Sequence, residues 1–158
     1  MALVTRTVSI NPAFLQEIKE DHHELRQLMH HAAAMLNRPN WMRVEYDRLF
    51  DLFEKLRDQL AMHFALEEAY GYFEDSIREA PRLSRRAEQL RSEHVPLFSD
   101  LCQLTDRADQ LLHHEAATKA LASLARDFAR FSARFHEHEL HECDLILEAL
   151  NEELGAGD

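Results

Sequence analysis

Glycine and proline are scarce in this chain, at three and four residues of 158. No stretch shows sustained strand-like alternation, and Leu, Ala, Glu and Arg dominate. Together these exclude a strand-rich fold and predict an all-helical one. Cysteine is scarcer still. Cys102 and Cys143 are too few for a disulfide framework and fit a reducing cytoplasm. No apolar run approaches the ~20 residues of a membrane span. Residues Met1 to Ile10 lack the apolar core and small-residue cleavage site of a secretory leader, so a cytoplasmic protein is expected. The formal charge is −11, with acids and bases mixed along the chain. Such a surface repels phosphate backbones, which argues against a nucleic-acid partner.

What the chain has in excess is histidine, eleven in all. Helix formation does not require them, since His is a middling helix former. The periodicity predicts four helices after an extended lead-in at residues 1–11, so that residues 12–154 form one four-helix bundle domain. Asn11-Pro12 is a helix start, with Asn as N-cap and Pro at the first helical position. The apolar seams advance by threes and fours. Helix A carries Leu15, Ile18, His22, Leu25, Met29, Ala32 and Leu36. Helix B, starting near Trp41 and ending between Gly71 and Glu79, carries Leu49, Phe53, Leu56, Leu60, His63, Glu67 and Tyr70. Helix C starts at Pro81 and carries Leu83, Ala87, Leu90, His94, Leu97, Leu101, Leu104, Ala108 and Leu111. Pro96 inside it cannot donate to the Ser92 carbonyl, so a kink or loosening is expected there. Helix D follows a link at His113-His114 and carries Leu121, Leu124, Phe128, Phe131, Phe135, His138, Glu142, Leu145 and Ala149. Gly155 and Gly157 are expected beyond its end. Four long helices with short links imply up-down-up-down topology.

Charged residues make up 30% of the chain, yet the four seams admit only His22, His63, Glu67, His94, His138 and Glu142, and no Lys, Arg or Asp. His63 and Glu67, like His138 and Glu142, are four apart, which places each pair on one helix face about 6 Å apart. The set also repeats internally. An acid, a His and x-x-Leu (Asp21-His22, Glu93-His94) precede each His-x-x-x-Glu, so helices A and B mirror C and D. A buried carboxylate costs several kcal/mol unless a cation answers it. The seams supply none, whereas imidazoles converge from all four helices. Two divalent ions, two bridging carboxylates and a bridging hydroxide leave a modest net charge. Imidazole plus carboxylate suits iron, manganese or zinc.

The pattern resembles the hemerythrin-like (HHE cation-binding) family over roughly residues 12–152. The family motif is a His on the first helix, His-x-x-x-Glu on the second, His on the third and His-x-x-x-Glu on the fourth. His22, His63, Glu67, His94, His138 and Glu142 match it in turn. The resemblance implies a four-helix bundle around a non-haem diiron centre, two iron ions with an oxo or hydroxo bridge. It also implies dioxygen or a related diatomic or peroxide ligand. Two departures from oxygen-carrying hemerythrins stand out. Leu90 and Phe98 occupy the positions four residues either side of His94, where the carriers have a second histidine. Glu142 lies four residues after His138, where the carriers place an Asp five residues on. A more symmetric and more reactive metal pair is the implied alternative. Three functions stay open: ligand binding for sensing, storage or delivery; a diiron oxidase, peroxidase or nitric-oxide-handling enzyme; and iron homeostasis, with an unseen protein partner.

Around the six, Tyr70, His141, His23 and Glu68 are candidates for supporting roles. Tyr70 lies one turn beyond Glu67, His141 flanks Glu142, and Glu68 either orients a ligand histidine or faces water. His23 is off the seam, and His22 is the preferred ligand of the two. Asp21 and Glu93 are candidate acceptors for imidazole N–H groups. His30, His31, His113, His114 and His136 fall off the seams and are expected in solvent. Cys102 and Cys143 lie about 20 Å apart on antiparallel helices, too far for a disulfide.

Overall fold

A computed structural model describes the backbone of residues 12–38, 41, 43–70, 81–113 and 118–155, and side chains within 22–38, 41, 44–69, 81–113, 119–149 and 151. Four helices follow one another: α1 (Pro12–Leu36), α2 (Arg43–Tyr70), α3 (Pro81–His113) and α4 (Thr118–Gly155). Each packs against its sequence neighbours, and α1 closes the ring against α4. Among the described residues the backbones of the diagonal pairs do not approach each other, and α2 meets α4 only through side chains in the core, as in an up-down-up-down four-helix bundle.

The seams predict the core closely. Every seam residue expected on α3 is buried, and so is every one on α4. On α2 the seam is buried from Leu49 through Glu67; the Tyr70 side chain lies outside the described residues. On α1, Leu25, Ala32 and Leu36 are buried and Met29 partly so, while Leu15 and Ile18 lie outside the described side chains. Two buried residues were not anticipated. Phe64 enters the core beside His63, and Thr105 satisfies its hydroxyl by donating to the Leu101 carbonyl at 2.8 Å.

The described helix boundaries fall close to expectation. Helix α2 is described from Arg43, close to the expected start near Trp41, whose indole N–H donates to the Arg38 carbonyl at 3.1 Å. Helix α4 includes Gly155, one turn-end residue later than its sequence suggests. Helix α3 runs through Pro96. The proline is exposed, which keeps the interrupted backbone bond on the wet side. The anticipated end of α2 between Gly71 and Glu79, and the lead-in at residues 1–11, fall outside the described residues.

Burial divides the core into two apolar bodies. The larger runs from Leu36 and Leu111 through Phe53, Leu56, Leu101 and Phe128 to Leu60, Phe64, Leu97 and Phe135. The smaller comprises Leu83, Ala87 and Leu90 of α3 with Leu145 and Ala149 of α4. On α3 and α4, His94 and His138 with Glu142 fall between the two bodies in sequence and register. Ion pairs fasten α3 to α4 along the surface: Arg107 to Asp127 at 2.6 Å, Arg134 to Asp100, and Arg86 to Glu148 at 2.6 Å. The Arg107 guanidinium holds the Asp127 carboxyl below its ordinary value. No helix of the described residues is long and apolar enough to cross a membrane. Both cysteines are free thiols, with Cys102 half-buried and Cys143 exposed.

Candidate metal centre

Helical spacing sets the first contacts. On α2, His63 Nε2 lies 2.7 Å from Glu67 Oε1. On α4, His138 Nε2 lies 3.0 Å from Glu142 Oε1. Helix α3 brings His94 between them, its Nε2 3.3 Å from Glu67 Oε2 and 3.6 Å from Glu142 Oε1. Helix α1 adds His22, whose ring centroid is 5.7 Å from that of His63. The His94 and His138 rings are 5.1 Å apart. The imidazoles therefore form two pairs, and Glu67 turns one oxygen to each.

Donor atoms converge in two groups, each within a 4.8 Å span: Glu67, His94, His138 and Glu142 in one, His22, His63 and Glu139 in the other. All six motif residues thus meet in one layer. The contacts are less symmetric than the sequence repeat suggests. Glu67 touches both pairs, whereas the described contacts of Glu142 are to His94 and His138. His22 is the most open member, its side chain 29% exposed, because it sits where α1 makes its few contacts with α4.

A ring of carboxylates fixes the imidazoles from outside. His94 Nδ1 donates to Glu68 Oε1 at 3.1 Å, and His138 Nδ1 donates to Glu93 Oε2 at 2.7 Å. His22 Nδ1 lies 2.9 Å from Glu139 Oε1. Each acid adjoins a motif residue on its own helix and reaches a histidine on another: α2 to α3, α3 to α4, α4 to α1. Holding Nδ1 of His94 and His138 this way selects the tautomer that leaves each Nε2 free to coordinate. Glu68 and Glu93, each open to either an orienting role or plain solvation by sequence, thus both contact an imidazole while remaining partly exposed. Asp21 is the corresponding acid on α1 by sequence, and its side chain lies outside the described residues.

Apolar residues seal the layer. Phe64 stacks on His94 at 4.0 Å with the planes 9° apart, and meets His138 edge-on at 5.9 Å. Phe135 lies 6.1 Å from His63. Leu60 and Leu97 back them on one side, with Leu90 and Leu145 on the other.

The electrostatics show what the layer needs. Among the described residues the ion-pair partners of Glu67 and Glu142 are histidines, with no Lys or Arg. Burial would raise the Glu67 carboxyl, but His63 and His94 overcome it and bring it down to about 2. Burial would lower His94, but Glu142, Glu67 and Glu68 lift it to about 9. Burial likewise opposes His138, and Glu142 and Glu93 raise it. Metal-free, the layer must retain protons to balance its acids. Even so, Glu67 Oε2, His94 Nε2, His138 Nε2, Glu139 Oε1 and Glu142 Oε1 are buried without a well-directed hydrogen bond. Five such atoms on neighbouring helices are costly as hydrogen-bonding groups and well suited as ligands. This buried His/Glu cluster is consistent with a di-metal site.

The remaining candidates separate clearly. His23 is exposed and bonded to Gln27 at 3.1 Å, so it takes no part in the cluster. His141 is exposed and stands outside both donor groups, because one residue of helical rotation turns it away from Glu142. His30, His31, His113 and His136 are exposed as expected, and His114 is outside the described residues. Sequence reasoning missed Glu139 and Phe64. Both lie next to a motif residue but off the seam, at flanking positions that face a neighbouring helix. The signal for Glu139 was present: an acid also adjoins Glu67 and His94.

A family model, the hemerythrin HHE cation binding domain, matches residues 13–150. No curated protein and no solved structure matches the chain.

Proposed function

The chain belongs to the hemerythrin HHE cation-binding domain family, and on that premise we propose that its buried layer holds two iron ions and takes up dioxygen or a related small ligand, for sensing, storage or delivery. The observation that carries this reading is the convergence of buried imidazole nitrogens and carboxylate oxygens from neighbouring helices, five of them without a well-directed hydrogen bond. His94, His138 and Glu142 would hold one ion, His22 and His63 the other, and Glu67 would serve both. Manganese or zinc satisfies the same donor set. A pair of iron ions supplies, when bound, the redox equivalents and open coordination position that a dioxygen-type ligand requires.

The chain's own residues set the conditions. Glu68 and Glu93 keep Nδ1 of His94 and His138 occupied, so each Nε2 stays aimed inward. Phe64, Leu97, Phe135 and Leu145 exclude water around the polar layer. Exclusion strengthens every charge interaction there and limits proton delivery to a bound ligand.

One observation favours an enzyme as the second reading. Helix α3 gives a single histidine, because Leu90 is buried and Phe98 packs on the core at the two positions where another could ligate. Acids are correspondingly prominent, with Glu142 beside Glu67 in one donor group and Glu139 in the other. Such a centre suits an oxidase, a peroxidase or a nitric-oxide-handling protein, and an iron-homeostasis role needs only the metal. The deciding experiment exposes anaerobic diferrous protein to dioxygen. A charge-transfer band that disappears on deoxygenation supports reversible binding. Rapid irreversible oxidation with consumption of peroxide supports the enzyme. Metal analysis must first show about two irons per chain.

A further inference from the structure

Leu60, Phe64, Leu97 and Phe135 cover one side of the polar layer, and Leu90 and Leu145 the other. An ion bound there has to pass between helices. A cleft of about 260 Å³ between α3 and α4 is lined by Glu93, Leu97, Arg134, Glu137, His138 and His141. It is distinct from the larger cleft of about 430 Å³ over α1 and α2, which no residue of the layer lines. His138 therefore belongs to both the cleft wall and the cluster. Glu93 links them, being 38% exposed while accepting the Nδ1 hydrogen bond of His138. A solvent-exposed carboxylate thus touches the outer edge of a buried imidazole whose other nitrogen faces the cluster. Glu68 also reaches from solvent to His94, but neither residue lines either of these clefts.

We propose that this α3–α4 cleft is the entry port for a divalent cation, with Glu137 and His141 receiving the hydrated ion and Glu93 passing it inward. The proposal rests on the di-metal reading of the layer and adds its route of loading. The charge is right for a cation: Glu93 and Glu137 are acids, and the guanidinium of Arg134 is already engaged by Asp100. Carboxylate and imidazole are also exchangeable donors that can replace water one ligand at a time. Glu137 and His141 are exposed and stand outside both donor groups, so their contribution is to the rate of arrival and not to the final coordination.

The test follows Co(II) loading of metal-free full-length protein by stopped-flow absorbance, alongside equilibrium titration. Glu137→Lys reverses the charge at the mouth without touching the core. At low ionic strength it is expected to slow loading by about tenfold, with most of the deficit removed by added salt. Its equilibrium affinity should stay within about twofold, because the ligands are intact. Glu24→Lys, the same charge change at an exposed position on α1, should load at the native rate. Loading of Glu137→Lys at the native rate, or equal slowing by both variants, overturns the port while leaving the di-metal reading standing. Failure of the native chain to take up Co(II) at all overturns both.

Discussion

His94 makes the metal-free protein a sensitive reporter of its own charge balance. Its imidazolium is favoured up to about pH 9 in the folded chain, against 6.5 for an ordinary histidine, because Glu142, Glu67 and Glu68 surround it. A raised basic pKa stabilises the fold fully below pH 6.5, and that stabilisation is lost as the pH rises through 9. The shift corresponds to about 3 kcal/mol between the two limits. His138 is raised for similar reasons and adds in the same direction. Glu67 contributes nothing within this window, since its lowered carboxyl is ionised in both states there. Its stabilisation is present above 4.5 and is lost only as the pH falls toward about 2. Urea unfolding of chelator-treated protein, followed by circular dichroism, should therefore lose about 1–2 M in midpoint between pH 6.5 and pH 9. His94→Gln should flatten that loss. Saturating zinc should reverse its sign, because the ion takes the place of protons that alkaline solution removes anyway. A metal-free midpoint that is constant or rises over the window would refute the claim that protons balance the buried acids.

Other perturbations follow from the same geometry. Glu67→Gln should reduce bound metal from two ions to one or none, read by elemental analysis, since Glu67 faces both histidine pairs. Glu93→Gln and Glu68→Gln should each weaken metal binding by roughly 10- to 100-fold in competition titrations, with the fold intact by circular dichroism. Phe53→Ala, deep in the larger apolar body, should cost about 3–5 kcal/mol in urea unfolding and leave the metal stoichiometry unchanged.

The bundle was largely legible in the sequence because its signal is repetitive. A seam position on α3 or α4 is tested by eight companions at the same phase, so a single odd residue such as His94 does not obscure the face. The six-residue layer was legible for a related reason: ionisable groups on an apolar seam stand out one at a time. The carboxylate ring was only half legible. Glu68, Glu93 and Glu139 occupy positions that are ordinarily solvated, and nothing in the order of residues says which neighbouring helix lies within reach of a half-exposed acid. Glu93 was readable through the repeat of an acid before a histidine, whereas Glu139 follows its histidine and broke that rule. Phe64 was missed because its value lies in stacking on His94 of another helix, which no single-helix period reports. The lean of Glu142 toward one histidine pair depends on how the helices are turned against one another, which residue spacing does not encode.

The crossing pattern of the acids bears on how the centre can be divided. His22 looks to α4 for its partner, His94 to α2 and His138 to α3, so no hairpin excised from the chain would keep all three of these acid–histidine contacts. The sequence repeat suggests two interchangeable halves, but a cut between α2 and α3 keeps His138 with Glu93 while parting His94 from Glu68 and His22 from Glu139. A split version of this protein should regain tight coordination only when both fragments reassemble, which turns metal affinity into a readout of association between them.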